Sequence, residues 1–230
     1  MNLSYQQLTR EEANQRFELD KYKLLASVPN DAIIVLEGDI TIDTFLSESS
    51  ITSVIFNGER TTAQELIIVN GNLTVKGGIS IGSEGKCPSL LVLGDLHCDS
   101  LESTDDFIEV TGDAYIKYIF DGNYNHGAIK IAGTTHVPYI LNSDHCSNLN
   151  PSDNAIVINY YNSSDDFFKY DYYAGNLVDV CIPKVFNLEQ EELDEMDEDD
   201  REDVEFDRIT FAIIVESGRS PLKENATSNK

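Results

Sequence analysis

Five glycines, Gly38, Gly71, Gly94, Gly112 and Gly133, each sit at the centre of one apolar stencil. Two and four positions before and after each glycine the chain reads Ile34, Leu36, Ile40, Ile42; Ile67, Val69, Leu73, Val75; Leu90, Val92, Leu96, Cys98; Ile108, Val110, Ala114, Ile116; and Ile129, Ile131, Thr135, Val137. Only Thr135 breaks the apolar set. Period-two alternation marks strands with one buried face, and a glycine inside such a run marks a bulge or bend. The next residue is Asp39, Asn72, Asp95, Asp113 or Thr134, and Asp and Asn suit turns. Centres 33, 23, 18 and 21 residues apart describe one unit recurring about every twenty residues, each burying its apolar edge by stacking on its neighbours. The expected fold is an all-β, single-domain parallel β-solenoid (β-helix), with the Ile67, Leu90, Ile108 and Ile129 side chains in one file.

Three regions are expected: an N-terminal capping helix within 1–30, the solenoid over 31–160, and an aromatic and acidic, partly helical C-terminal cap over 161–230. Thr9 and Glu12 form a capping box that starts a helix over 9–26. Placed before the first coil, that helix is expected to cover the open end, because unpaired sheet edges invite aggregation. The long first gap holds Val54, Phe56 and Gly58, a half-match to the stencil, then TTAQE, read as a short helical excursion. The run Ile209 to Val215 is either a last strand, which its β-branched residues favour, or a helix; with Gly218 and Pro221 beyond it as a stop it is read as helix.

The net charge is −25, with thirteen acids against Arg201 alone in residues 187–207. Such a surface repels nucleic acid and anionic membrane and draws basic partners; simple solubility is the alternative reading of the same charge. No apolar run reaches the length of a transmembrane helix and MNLSYQQLTREE has no signal-peptide pattern, so a cytoplasmic location is expected. Cys87, Cys98, Cys146 and Cys181 lack CxxC spacing and read as reduced, buried thiols.

No hydrolase elbow, P-loop, HExxH or dinucleotide fingerprint occurs, and neither a cofactor nor a metal is expected. His97 and His136 follow their glycines by three residues, as Thr41, Thr74 and Tyr115 do, which predicts one outward column. At about 4.8 Å per tier, histidines two tiers apart are too distant for one ion. The turns around Tyr124 and His126, and Asp144 and His145, are about one coil apart, so the imidazoles are candidate neighbours, with Asp144 or Asp121 to orient them. These residues read as a polar turn column; an acid–base pair or partner contact is the functional alternative. Asp39, Asn72, Asp95 and Asp113 read as turn formers rather than a calcium column. Seven aromatics fall within 160–173, and tyrosine is a preferred interface anchor.

The strings VLGDLHCDSL, VTGDAYIKYIFDGNYNHGAIKIAG and ILNSDHC lie between Leu90 and Cys146. On them the chain resembles small acidic bacterial β-solenoid proteins with repeated VxGDL units and YNHG and SDH turns, labelled polymer-forming or bactofilin-like, many of the immunity type encoded beside polymorphic toxins. It departs from that pattern at Thr134-Thr135. The resemblance implies a non-enzymatic immunity protein that neutralises a basic cognate toxin, such as a nuclease, as a monomer or small homo-oligomer. Expected contacts are Tyr160, Tyr161, Phe168, Tyr170, Tyr172 and Tyr173, with Glu191, Glu192, Asp194, Glu195, Asp197 and Glu198. A self-assembling scaffold is the alternative, and an enzyme using His126 and His145 a third reading.

Overall fold

A computed structural model describes residues 3–26, 32–55, 65–82, 88–124, 126–159, 174–197, 200–201 and 204–224. Its strands alternate between two sheets, as the stencil requires. The first sheet runs β1 (Gln6–Leu8), β2 (Ala32–Glu37), β5 (Glu65–Asn70), β8 (Ser89–Val92), β10 (Phe107–Val110), β12 (Ala128–Ile131) and β15 (Cys146–Asn148). The second runs from β3 (Ile40–Ile42) through β6 (Leu73–Val75), β9 (Leu96–Ser103), β11 (Ala114–Asn123) and β14 (Tyr139–Ser143) to β16 (Ile156–Asn159). Short strands β4 (Leu46–Ser47), β7 (Gly78–Ser80) and β13 (Thr135–His136) extend it at the side. Among the described residues every pairing between strands is parallel except that of β1 with β2.

This is a parallel β-solenoid, and its register places Ile34, Ile67, Leu90, Ile108 and Ile129 tier on tier. All five belong to one buried interior cluster with Leu36, Val69, Val92, Val110 and Ile131. Thr135 keeps its place in the stencil: it is fully buried beside Ala114. Its hydroxyl has no hydrogen-bond partner among the described residues.

The glycines stand between strands, at the corner where the chain leaves the first sheet for the second. Their need is mostly spatial. A Cβ on Gly71 would lie 2.5 Å from the carbonyl carbon and oxygen of Gly38. On Gly133 it would lie 2.6 Å from the oxygen of Gly112. Only the first, Gly38, takes a left-handed φ of 78°, with nothing within 4 Å of its missing Cβ. The residue after each glycine locks the corner from outside. Asp39, Asn72, Asp95 and Asp113 each accept, on Oδ1, the backbone N–H of their counterpart one tier on, at 2.7–2.9 Å. The ladder ends at Thr134, the last donor.

Both flanks are covered. The capping box forms as read: Thr9 N donates to Glu12 Oε2 at 2.8 Å and Glu12 N to Thr9 Oγ1 at 3.2 Å. The helix, however, is α1 (Arg10–Phe17), a 3-10 turn over Leu19–Lys21, then α2 (Lys23–Ala26). Glu18, left-handed at φ 54°, bends it, and Asn14 braces the bend by donating to Asp20 Oδ2. Phe17, Leu19, Tyr22 and Leu25 pack on Ile33, Val35, Ile68 and Leu91, the outward side chains of the first sheet. The segment therefore lies along a flank instead of over the open end, and the short antiparallel β1 forms the edge of that sheet.

The first gap does hold a helix, but it is α3 (Glu48–Val54), ahead of the TTAQE stretch read as helical, whose Glu65 opens β5; Ile51, with Ile55 just beyond, joins the interior cluster. Val54 thus ends a helix, not a half-matched strand. Residues 56–64, which contain Phe56, Gly58 and TTAQ, lie outside the described residues. Helices α4 (Ala174–Val180), α5 (Gln190–Glu195) and α6 (Arg208–Glu216) build the C-terminal region. Leu177, Cys181, Phe186, Leu193, Phe211 and Ile214 bury against Ile119, Leu141 and Ile158, the outward residues of the second sheet. The run from Ile209 to Val215 is helical, as read.

Cys98 and Cys181 are buried and free, and burial pushes both thiols up to about 12. Cys146 is exposed, because in β15 it points away from the interior that Ser147 faces. Cys87 lies outside the described residues. No helix among the described residues is long and apolar enough to cross a membrane.

Candidate functional site

Parallel register converts separate coils into rows along the second sheet. One outward row reads Ser47, Ser80, Glu102, Asp121, Leu141, Ile158. Its apolar half is covered by the C-terminal helices; its charged centre is met by Arg208, in the first turn of α6. Arg208 Nη1 donates to Glu102 Oε1 at 3.0 Å and to Asp121 Oδ2 at 2.5 Å. Asp207 caps α6 by accepting from Ile209 N and Thr210 N, which sets Arg208 one residue into the helix. At the other end of α6, Ser100 Oγ donates to Glu216 Oε1 at 2.5 Å. Burial raises the Asp121 carboxyl to about 6, against the pull of Arg208. Arg208 was not singled out from sequence. Its signal was a lone cation following a run of carboxylates, beside the apolar helix ITFAIIV.

The predicted outward column exists: Thr41, Thr74, His97, Tyr115 and His136 stand in register. Tyr115 lies between the two imidazoles, its ring centroid 4.6 Å from that of His97 and 4.7 Å from that of His136, stacked nearly parallel on both.

Around the opposite corner the four residues of the predicted polar turn column separate. His145 is buried, with Nε2 3.1 Å from Ser103 Oγ and Nδ1 2.7 Å from Ser147 Oγ. Ser147 in turn donates to Asn142 Oδ1, and Ser103 to Asp106 Oδ1 at 2.6 Å. His126 is exposed, edge-on to Tyr124 and 4.0 Å from Asp105. The two imidazoles are thus engaged with different neighbours. Asp121 faces Arg208 rather than an imidazole, and Asp144 holds a left-handed turn at φ 51°. Ser103, Asp106 and Ser147 were missed; nothing in their spacing sets them apart from ordinary turn residues.

This buried cluster has a pH signature. Burial lowers His145 to about 4 and raises Asp106 to about 7. A depressed histidine contributes stability above its unfolded value of about 6.5 that is lost as pH falls towards 4. A raised carboxyl acts oppositely: native stability falls as pH rises from about 3.8 to 7. The two slopes oppose each other across pH 4–6.5. We expect Asp106→Asn, which keeps the acceptor for Ser103 and Thr104, to be more stable than the parent at pH 8 by about 1 kcal/mol. That advantage should vanish near pH 4, leaving the histidine slope uncompensated; urea midpoints at pH 4.5, 6.5 and 8 measure it.

The acidic segment is mounted on α5. Glu191, Glu192, Asp194 and Glu195 are exposed while Leu193, between them, is buried in the C-terminal core. Glu189 N donates to Glu192 Oε2, and Arg201 reaches back to the carbonyl of Leu193. Asp197 is exposed and accepts from Asp200 N at 2.9 Å. Glu198 and the aromatic set Tyr160, Tyr161, Phe168, Tyr170, Tyr172 and Tyr173 lie outside the described residues.

Two parallel sheets around aliphatic files, with a helical layer on each flank, define a β-solenoid whose exposed helix face is strongly anionic. No family model, curated protein or solved structure matches the chain.

Proposed function

We propose that this protein works by binding rather than by chemistry. It holds a basic protein partner against its acidic face, as expected of an immunity protein that neutralises a cationic toxin such as a nuclease. The observation that carries the reading is α5, where Leu193 is anchored in the core and four neighbouring carboxylates are left in solvent. Anchoring fixes a row of charge in space, so a cationic cleft meets it with little ordering still to be done. With a net charge of −25 behind it, long-range attraction speeds encounter. The tyrosine set remains the proposed source of desolvated anchors.

Two observations weigh against the other readings. The edge of the first sheet is β1, a three-residue antiparallel strand, which offers a second solenoid only a short edge out of step with the parallel coils. His145 is encased by serines and only 5% exposed, so its ring nitrogens are poorly placed to meet a substrate.

The test is co-expression with the basic product of the adjacent gene. A complex is expected, and the combined change of Glu191→Gln, Glu192→Gln, Asp194→Asn and Glu195→Gln should weaken it on the order of 100-fold at ~0.05 M salt. The gap should close towards ~0.5 M as screening removes the long-range term. Failure of any complex to form would overturn the reading.

A further inference from the structure

Between α6 and the outer face of the second sheet lies an open groove of about 340 Å³. Its floor is the row Ser80, Glu102 and Asp121, and Arg208 and Glu216 stand at its two ends. Its rim is apolar. Phe45, Ile209 and Ile213 are 49%, 61% and 57% exposed. They are three of the six large apolar side chains that stand in solvent among the described residues, so half of that class is gathered on one groove. The amphipathic pattern of α6 accounts for Phe211, Ile214 and Val215, which are buried, and leaves Ile209 and Ile213 without a packing role. The Phe45 ring is held in place by lying over Gly78, where a Cβ would be 2.6 Å from its edge.

We infer that this groove is a docking site for a lysine or arginine of a basic protein partner, flanked in that partner by an aliphatic or aromatic residue. Charge complementarity selects this occupant. Glu102, Asp121 and Glu216 against Arg208 leave the groove two negative charges in excess, and Asp121 Oδ1 is buried with no hydrogen-bond partner among the described residues. A guanidinium or ammonium entering over Ser80 adds a counter-charge to Glu102, while its neighbour covers the isoleucines. An anion is repelled from such a floor, and a second copy of this chain brings −25 of its own. A purely apolar guest would strip water from carboxylates without replacing it. The inference rests on the reading of a basic partner and names a contact that reading leaves open.

The test uses a probe of known composition, the peptide acetyl-Leu-Lys-Phe-Arg-amide, titrated into the full-length protein with labelled isoleucine methyls. The methyls of Ile209 and Ile213 should shift, with a Kd of about 1 mM or tighter. The charge-reversed peptide acetyl-Leu-Glu-Phe-Glu-amide should leave them still. Ile209→Ser with Ile213→Ser, at solvent-exposed positions that keep the fold, should weaken the basic peptide about tenfold. Equal shifts from both peptides, or none at the two methyls, would overturn the docking site. Failure here can be told from failure of the proposed function. A complex with the adjacent gene product that ignores the double serine change removes the groove alone. Peptide binding without any such complex removes the immunity reading and keeps the groove.

Discussion

Gly112→Ala should destabilise the solenoid by about 3 kcal/mol or more, although it adds a single methyl group. The new Cβ would lie 2.7 Å from the oxygen and 2.8 Å from the carbonyl carbon of Gly94, and closer still to Asp95 Oδ1. Two of these are backbone atoms of the tier below, which cannot rotate aside. Relief requires the corner to open, and opening breaks the bond from Asp113 N to Asp95 Oδ1. For a chain of this size the loss corresponds to a fall of about 6–12 °C in Tm. Gly38→Ala supplies the control. There the obstacle is a φ of 78° with free space around it, so the loss should be about 1–2 kcal/mol. Thermal unfolding of both variants measures the difference. Equal losses would show that these glycines serve conformation and not stacking.

Arg208→Ala should cost about 3 kcal/mol at pH 8. It removes the one cation among the described residues that pairs with Asp121 and Glu102, whose carboxylates sit in adjacent tiers. It also frees the start of α6, and with it the cover over Ile119. Because the Asp121 carboxyl is already raised to about 6, acid relieves the defect. Below that value the carboxyl takes up a proton and no longer needs its partner, so the deficit relative to the parent should shrink as pH falls from 8 to 5. Denaturant midpoints at the two pH values read this out. A deficit independent of pH would mean that Arg208 acts through packing of its stem alone.

The interior of this protein was legible because parallel stacking obeys a local rule. A central tier buries an aliphatic residue over the one below, so Ile67, Leu90, Ile108 and Ile129 repeat in the chain as they repeat in space. The corner aspartates and the outward His97–Tyr115–His136 stack follow from the same offsets. The flanks carried a signal that period-two reading discards. In AIIVLE and ELIIVN the residues between stencil positions are apolar too, the mark of strands buried on both faces. That pattern calls for a cover over the sheet, and α1 and α2 provide it. Among the candidate site residues, the carboxylates of α5 were found by composition alone. The His145 cluster was not, since Ser103, Asp106 and Ser147 acquire their roles only when three turns close over one another.

The amino-acid order by itself determined the coil, its glycine corners, the capping box at Thr9 and the helix at its far end, because each depends on spacings of a few residues repeated along the chain. Tertiary structure alone decided where the helices lie and which charges meet. Arg208 stands 87 residues from Asp121 and 106 from Glu102, and no short-range rule brings them together. Their meeting depends on apolar side chains of α6 finding the uncovered outer face of the second sheet.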